Sequence, residues 1–395
     1  MSVDYNKLPS RKNTNSIKWD ALPSIFNVDP QADVTPFWVA DMDFECPRPI
    51  IDALNKRVDH GIFGYTMVSD RFRQSVSSWM LNRHQSQVDM SWVEFSPGVL
   101  KGITNAILAL SEVQDQVIIQ TPVYYPFRTI VENVTRVIVE NPLIEKDGAY
   151  MIDFNDLERK ASDPKTKLMI LCHPHNPLAR VFTQEELIQI SEICLRHDVV
   201  ILSDEIHQDI VYPPYKHISV MHLEDRFTNN ALCFISPSKT FNLAGLQTSA
   251  VIIKDPLKHE AYNLAAQKTH TNMINVFGET ALCAAYDHCG KDVDELIVYL
   301  QSNIDYVRHQ LQTRFPQLQL FEPQGTYLLW IDFRQSGVLA KDLPDFMSHK
   351  VKIAVDDGSW FGKSGEGFIR LNIACPQSML KEAFDRLENA FKSLK

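Results

Sequence analysis

The sequence predicts an α/β fold, with a large domain on a mostly parallel sheet flanked by helices and a smaller α+β domain after it. Three observations carry this. From about residue 92 to 255, strand-like and helix-like patterns alternate, as parallel strands joined by crossover helices do. The longest apolar runs, Leu168 to Cys172, Val199 to Leu202 and Ala250 to Ile253, are strand-length. After about residue 290 the alternation gives way to one long amphipathic helix and separate strands.

Trp92 to Phe95 reads as a short strand and Ser96-Pro97-Gly98 as the turn after it. Ile103, Ala106, Ile107 and Leu110 then fall on one face of a helix. Val117 to Ile119, Val137 to Val139 and Lys167 to Cys172 read as strands, the last one buried. A helix follows from Glu185 to about His197, with Thr183 and Glu186 spaced as a capping box at its start. Val199 to Leu202, Ala231 to Ile235 and Ser249 to Ile253 complete the strands of the large domain. Beyond it come the helix Val293 to Gln312 and strands at Tyr327 to Phe333, Lys352 to Val355 and Phe368 to Ile373. Pro376 opens a last helix, since proline is tolerated in a first turn. The expected division is residues 1–47 as an N-terminal segment packing on the small domain, 48–288 as the large domain and 289–395 as the small one.

Composition narrows the function. The chain has 395 residues, 45% of them hydrophobic, which is ample for a core without disulfide or metal staples. A net charge of −10 argues against a non-specific nucleic-acid binder. The first twenty residues lack the apolar stretch of a signal peptide, and no run approaches the ~18 residues needed to cross a bilayer. Seven cysteines without a C-x-x-C pair suggest neither a disulfide framework nor a zinc site. A soluble, cytoplasmic protein without membrane or nucleic-acid partners and without a metal is expected.

In an open α/β sheet, ligands bind beyond the carboxyl ends of the strands, and five loops there hold candidate chemistry. In Ser96-Pro97-Gly98-Val99-Leu100-Lys101, glycine lets the backbone approach a ligand and the first-turn amides can take an anion; alone, it reads as an ordinary helix entry. Thr121 to Phe127 offers Tyr124 as a flat platform for a ring, though core packing is its simpler use. In His173-Pro174-His175-Asn176-Pro177, Asn176 is held in a turn and can aim its amide at a ligand; the two histidines have no carboxylate or thiolate nearby to complete a metal site. Ser203-Asp204-Glu205-Ile206-His207 puts three ionisable groups at the end of a very apolar strand, where a charged ligand atom would be a natural partner for Asp204. In Ser236-Pro237-Ser238-Lys239-Thr240, a lysine between serines ends a buried strand; a partly desolvated amine can form a Schiff base, and the hydroxyls can bind a phosphate. No loop decides alone. Together they provide an amine for an aldehyde, a carboxylate for a ring nitrogen, a flat aromatic and a phosphate cup, which is what pyridoxal 5'-phosphate requires.

The chain resembles the fold-type I, class I/II pyridoxal-phosphate aminotransferases, and within them the cystathionine β-lyase branch of PatB/MalY and cystalysin-like C–S lyases. The likeness runs through Val39-Ala40-Asp41-Met42-Asp43-Phe44, Gly64-Tyr65-Thr66, Pro122-Val123-Tyr124, His175-Asn176-Pro177, Ser203 to His207, Ser238 to Asn242, Gly325 to Leu328 and Arg370 to Ala374. It implies that Lys239 carries the cofactor and acts as general base, and that Asp204 keeps the pyridine nitrogen protonated. Asn176, with His207, would bond the ring 3-oxygen, and Tyr124 would stack on the ring. Ser236, Ser238 and the amides of Val99 and Leu100 would hold the phosphate, joined by Tyr65 from a second subunit of a homodimer. Arg370 would clamp the substrate carboxylate, with Asn176 and Tyr124 beside it.

Three departures from the family stand out. Gln247 occupies the place of a phosphate-binding arginine, Lys101 follows the phosphate-loop glycine where a proline is common, and Ala179 stands where relatives have glycine. Lys101 would supply part of the missing charge, and Ala179 a small backbone adjustment. The implied activity is β-elimination from cystathionine or cysteine S-conjugates, giving a thiol, pyruvate and ammonia. Transamination would use the same residues, and a MalY-like regulatory binding role is the alternative of another class.

Overall fold

The computed structural model describes residues 3–393. Its strands, in chain order, are β1 (Thr35–Pro36), β2 (Val93–Ser96), β3 (Gln116–Ile119), β4 (Val137–Glu140), β5 (Ile144–Lys146), β6 (Ala149–Met151), β7 (Thr166–Cys172), β8 (Val200–Asp204), β9 (Ala231–Ile235), β10 (Ser249–Ile253), β11 (Gln319–Leu320), β12 (Leu328–Asp332), β13 (Ile353–Ala354), β14 (Asp356–Asp357) and β15 (Phe368–Asn372). Seven form one sheet in the order β2-β10-β9-β8-β7-β3-β4. The four pairs from β9 to β4 are parallel, while β10 runs antiparallel to both its neighbours. The expected mostly parallel sheet is present.

These strands read as continuous apolar runs because both faces are covered. In β7, Met169 and Leu171 enter one core, while Leu168, Ile170 and Cys172 enter the other. Helices Val99–Leu110 and Pro256–Lys268 close the second face with Ile103, Ile107 and Tyr262. Asp70–His84, Gln184–Arg196 and Val276–His288 close the first with Phe72, Trp79, Ile190 and Leu282. The capping box at Thr183 and Glu186 forms as its spacing predicts.

The second sheet has the order β11-β12-β15-β14 and is antiparallel throughout. Helices Gly290–Arg314 and Gln377–Lys392 pack on it, and Phe37, Met42 and Phe44 from the N-terminal segment enter the same core. The N-terminal segment also pairs β1 with β13 in parallel.

Two strand readings change. Trp92 lies in the 3₁₀ turn Met90–Trp92, which Asp89 caps by accepting from the Ser91 amide at 2.8 Å. Lys352 to Val355 is not one strand of the small sheet. Ile353–Ala354 pairs with β1, and the chain passes at Val355 to Asp356–Asp357, which pairs with β15. No helix among the described residues is long and apolar enough to cross a membrane. All seven cysteines are free thiols, six of them buried.

Candidate active site

The carboxyl ends of β2, β7, β8 and β9 meet the start of β10 around a cavity of about 280 Å³. Lys239, Asp204, Asn176, Tyr124, His207, Ser236, Ser238, Val99 and Leu100 all line it, so nine of the eleven candidate residues come together in one place. The arrangement follows from the topology. Because β10 reverses direction, Gln247 and Thr248 at its start reach the same edge as the strand ends of its neighbours.

Gly98 shapes one end of the cavity. Its φ of 104° lies in the region that favours glycine, and it caps helix Val99–Leu110 with no side chain on the first-turn amides. Those amides are free to meet an anion. Opposite them, Ser236 begins the short turn Pro237–Thr240: its Oγ accepts from the Ser238 amide at 3.1 Å, lies 3.0 Å from Ser238 Oγ and donates to the Thr248 carbonyl at 2.7 Å. Lys101 and Gln247 stand at the rim, both exposed, with Lys101 Nζ 3.5 Å from Gln247 Oε1.

Lys239 projects from that turn and donates from Nζ to the Ala40 carbonyl at 2.6 Å. Burial pushes its amine down to about 8; Asp41 and Asp204 oppose this, and Arg370 adds to it. Asp204 ends β8 and is buried, which pushes its carboxyl up to about 7 against the Ile206 amide at 3.1 Å and the charge of Lys239. A buried carboxylate in this state gains from a cationic partner. His207 is held neutral by burial, and its Nδ1 is buried without a partner.

Arg370, on β15, lies outside the cavity lining yet reaches it through Asn176. Its Nη1 donates to Asn176 Oδ1 at 2.8 Å, and its Nη2 donates to the Trp38 carbonyl at 2.9 Å and pairs with Asp356. Tyr124 is tied to the same group, its amide donating to the Asn176 carbonyl at 3.0 Å. Tyr65 is not brought to the cavity of its own chain: it is 98% exposed.

The neighbouring ionisable residues have protein partners. Glu205 accepts from Ser203 Oγ and the Val220 amide, both at 2.9 Å, and lies 2.9 Å from His217; together these hold it down at about 2. His173 and His175 are buried and neutral, with Nε2 atoms on the carbonyls of Ile218 and Gln120. Ala179, beside the Asn176 turn, keeps a left-handed φ of 53°, so it takes the conformation glycine favours without leaving it.

Several site residues escape a sequence reading. Ala40 and Tyr327 matter through one atom, the Ala40 carbonyl, which accepts from both Lys239 and the Tyr327 hydroxyl. Cys172 lines the cavity, though its apolar neighbours mark it only as a core thiol; its register opposite Asp204 is the missing signal. Asp356 is placed opposite Arg370 by β-sheet register alone.

The residues fit pyridoxal phosphate. Free helix amides and two serine hydroxyls suit a phosphate, a half-neutralised buried carboxylate suits a pyridinium, the unpartnered His207 Nδ1 suits a ring substituent, and Lys239 suits an aldehyde.

The fold and this site define a class, and the chain belongs to it: the family model "Aminotransferase class I and II" matches residues 32–387. Cystathionine beta-lyase PatB of Bacillus subtilis is 42% identical over 388 residues, covering 98% of this chain and 100% of the relative. Protein MalY of Escherichia coli is 32% identical, covering 99% and 100%. Cystalysin from Treponema denticola, solved with a pyridoxal 5'-phosphate cofactor, superposes over 100% of both chains with a TM-score of 0.96 at 38% identity.

Proposed function

We propose that this chain is a pyridoxal-phosphate-dependent carbon–sulfur β-lyase, acting on cystathionine and cysteine S-conjugates to release a thiol, pyruvate and ammonia. One observation carries the reading: Lys239 and Asp204 line the same cavity as the Gly98 amide cup. Its relatives named for cystathionine β-lysis support the substrate class. Bound there, pyridoxal phosphate supplies an aldehyde for amines and a ring that accepts the electron pair left at the substrate α-carbon.

The chain's own residues do the rest. Val99 and Leu100 amides, Ser236 and Ser238 hold the phosphate, and Lys101 adds positive charge that Gln247 cannot. Asp204 keeps a proton on the ring nitrogen, because its buried carboxylate needs a cation beside it. Tyr124 covers the ring, while Asn176 and His207 face its 3-oxygen. Arg370 binds the substrate carboxylate, fixed in direction by Asn176 and the Trp38 carbonyl. With an amine pushed down to about 8, Lys239 is neutral often enough near neutral pH to take the α-proton, and it can then hand that one proton to the departing thiolate.

The enzyme works in the cytoplasm as a homodimer, with residues 1–47 and 289–395 forming the small-domain side and 48–288 the cofactor domain. Support for the dimer comes from Tyr65, fully exposed among the exposed apolar residues Ile62, Phe63 and Met67. A partner's cavity would give this face a use. Sedimentation should return twice the 45.3 kDa of the chain.

The deciding assay incubates the purified yellow protein with L-cystathionine and no keto acid, measuring pyruvate and free thiol together. Equal amounts of both are expected. Amino transfer only after a keto acid is added would replace the lyase reading with a transaminase one.

A further inference from the structure

The guanidinium of Arg370 already has an anionic partner. Asp356 on β14 is in register with Arg370 on β15, and its Oδ2 accepts from Arg370 Nη2. Both side chains are buried, at 1% and 3% exposure. Asp356 Oδ1 and Arg370 Nε are buried without partners. The titratable groups facing this pair are Asp357 beside Asp356, Tyr124 and Tyr125 from the loop after β3, His207 and Tyr327 from the cavity side, and Lys239, the last three each feeling the charge of Arg370.

We propose that Asp356 takes up a proton when a carboxylate ligand binds at Arg370, so that amino-acid binding at this site is coupled to protonation. This rests on the reading of Arg370 as the carboxylate clamp. Without ligand, one buried carboxylate balances one buried guanidinium. A ligand carboxylate makes two for one cation, and two carboxylates sharing a buried site do not both ionise readily. The group that gives way is the one already closest to neutrality: burial holds the Asp356 carboxyl up at about 6, with Arg370 opposing. The proton comes from solvent and adds to the carboxylate, leaving Arg370 charged and its unpartnered Nε available to the ligand.

The direction of the pH dependence follows. Ligand raises the Asp356 pKa further, so binding is strongest below about 6 and weakens as pH rises from there to the ligand-bound value.

The test uses the holoenzyme and 3-(methylthio)propionate, which has the carboxylate and thioether of a substrate but no amine to react with the cofactor. Calorimetric titration at about pH 7.5, in buffers of different ionisation enthalpy, counts the protons exchanged. Wild-type protein should take up close to one proton, with Kd weakening about tenfold per pH unit between about 6 and the ligand-bound value. Asp356→Asn should take up none and show a flat Kd. The amide analogue 3-(methylthio)propionamide should cause no uptake in wild type, a control independent of whether the variant folds. Uptake unchanged in Asp356→Asn, or no uptake by wild type while Arg370→Ala abolishes binding, would overturn the coupling alone. Unchanged binding in Arg370→Ala would overturn the clamp and the coupling together.

Discussion

Asn242 and Met42, two hundred residues apart, exchange a pair of hydrogen bonds: the Met42 amide donates to Oδ1 at 3.0 Å, and Nδ2 donates to the Met42 carbonyl at 2.9 Å. Nδ2 also reaches the Phe44 carbonyl at 3.0 Å. This side chain therefore fastens the lysine loop to the segment whose Ala40 carbonyl receives Lys239. Asn242 has a φ of 58°, so Asn242→Gly removes the bonds without backbone strain. Losing three bonds at about 1 kcal/mol each predicts a loss of about 3 kcal/mol, and Asn242→Ala should lose about 1 kcal/mol more for its left-handed φ. Urea midpoints of the two variants check this.

Lys239→Ala should lower β-elimination by at least about 10³-fold, the range of a lost general base. Borohydride followed by mass spectrometry separates its two roles. Wild-type protein should carry a fixed cofactor adduct on the peptide containing Lys239, and the variant should carry none.

Asp204 makes the stability of the cofactor-free protein depend on pH. Its folded pKa is raised to about 7, against about 3.9 in an unfolded chain, so its contribution is full below 3.9 and lost as pH rises to 7. At about 1.4 kcal/mol per unit, wild type should lose on the order of 4 kcal/mol relative to Asp204→Asn across that window. Denaturation of both proteins at several pH values measures it. A rising difference would contradict the sign.

Ala179 is 1% exposed with a left-handed φ, and its carbonyl accepts from the amides of Gln324 at 2.8 Å and Gly325 at 2.9 Å. Ala179→Gly should be nearly neutral, because about 1 kcal/mol of relieved backbone cost offsets about 0.8 kcal/mol for the buried methyl. Ala179→Val should cost more than about 2 kcal/mol, since a branched side chain tolerates this φ poorly and overpacks the site. Chemical denaturation of the pair reads out both.

Lys101→Ala should weaken cofactor binding about fivefold, corresponding to about 1 kcal/mol for an exposed charge near a phosphate. Gln247→Arg should restore it. Fluorescence titration of apoprotein with pyridoxal phosphate gives both constants, and unchanged affinity in Lys101→Ala would remove its assigned role.

Much of this structure was legible in the sequence for a physical reason. Strands buried on both faces are continuous apolar runs, and the loops at their ends hold Lys239, Asp204 and Asn176 because the topology leaves that edge open. Thr183 and Glu186 announced their helix because a capping box is local. What stayed hidden depends on distant pairing. Thr35–Pro36 has no strand pattern of its own and exists as β1 because Ile353–Ala354 lies beside it. The partner of Arg370 is decided by register, which no spacing along the chain reveals. Tyr65 was recognisable by family likeness, and nothing within a single chain gives it a task.

The single carbonyl of Ala40 is contacted by Lys239 from the turn after β9 and by Tyr327 from just before β12, while Ala40 itself follows β1. Three stretches of chain thus converge on one oxygen. Removing the first forty residues would take away the acceptor that Lys239 and Tyr327 share, so that stretch is more than a tail. An engineered split or circular permutation that keeps this three-way contact has to leave all three stretches in place.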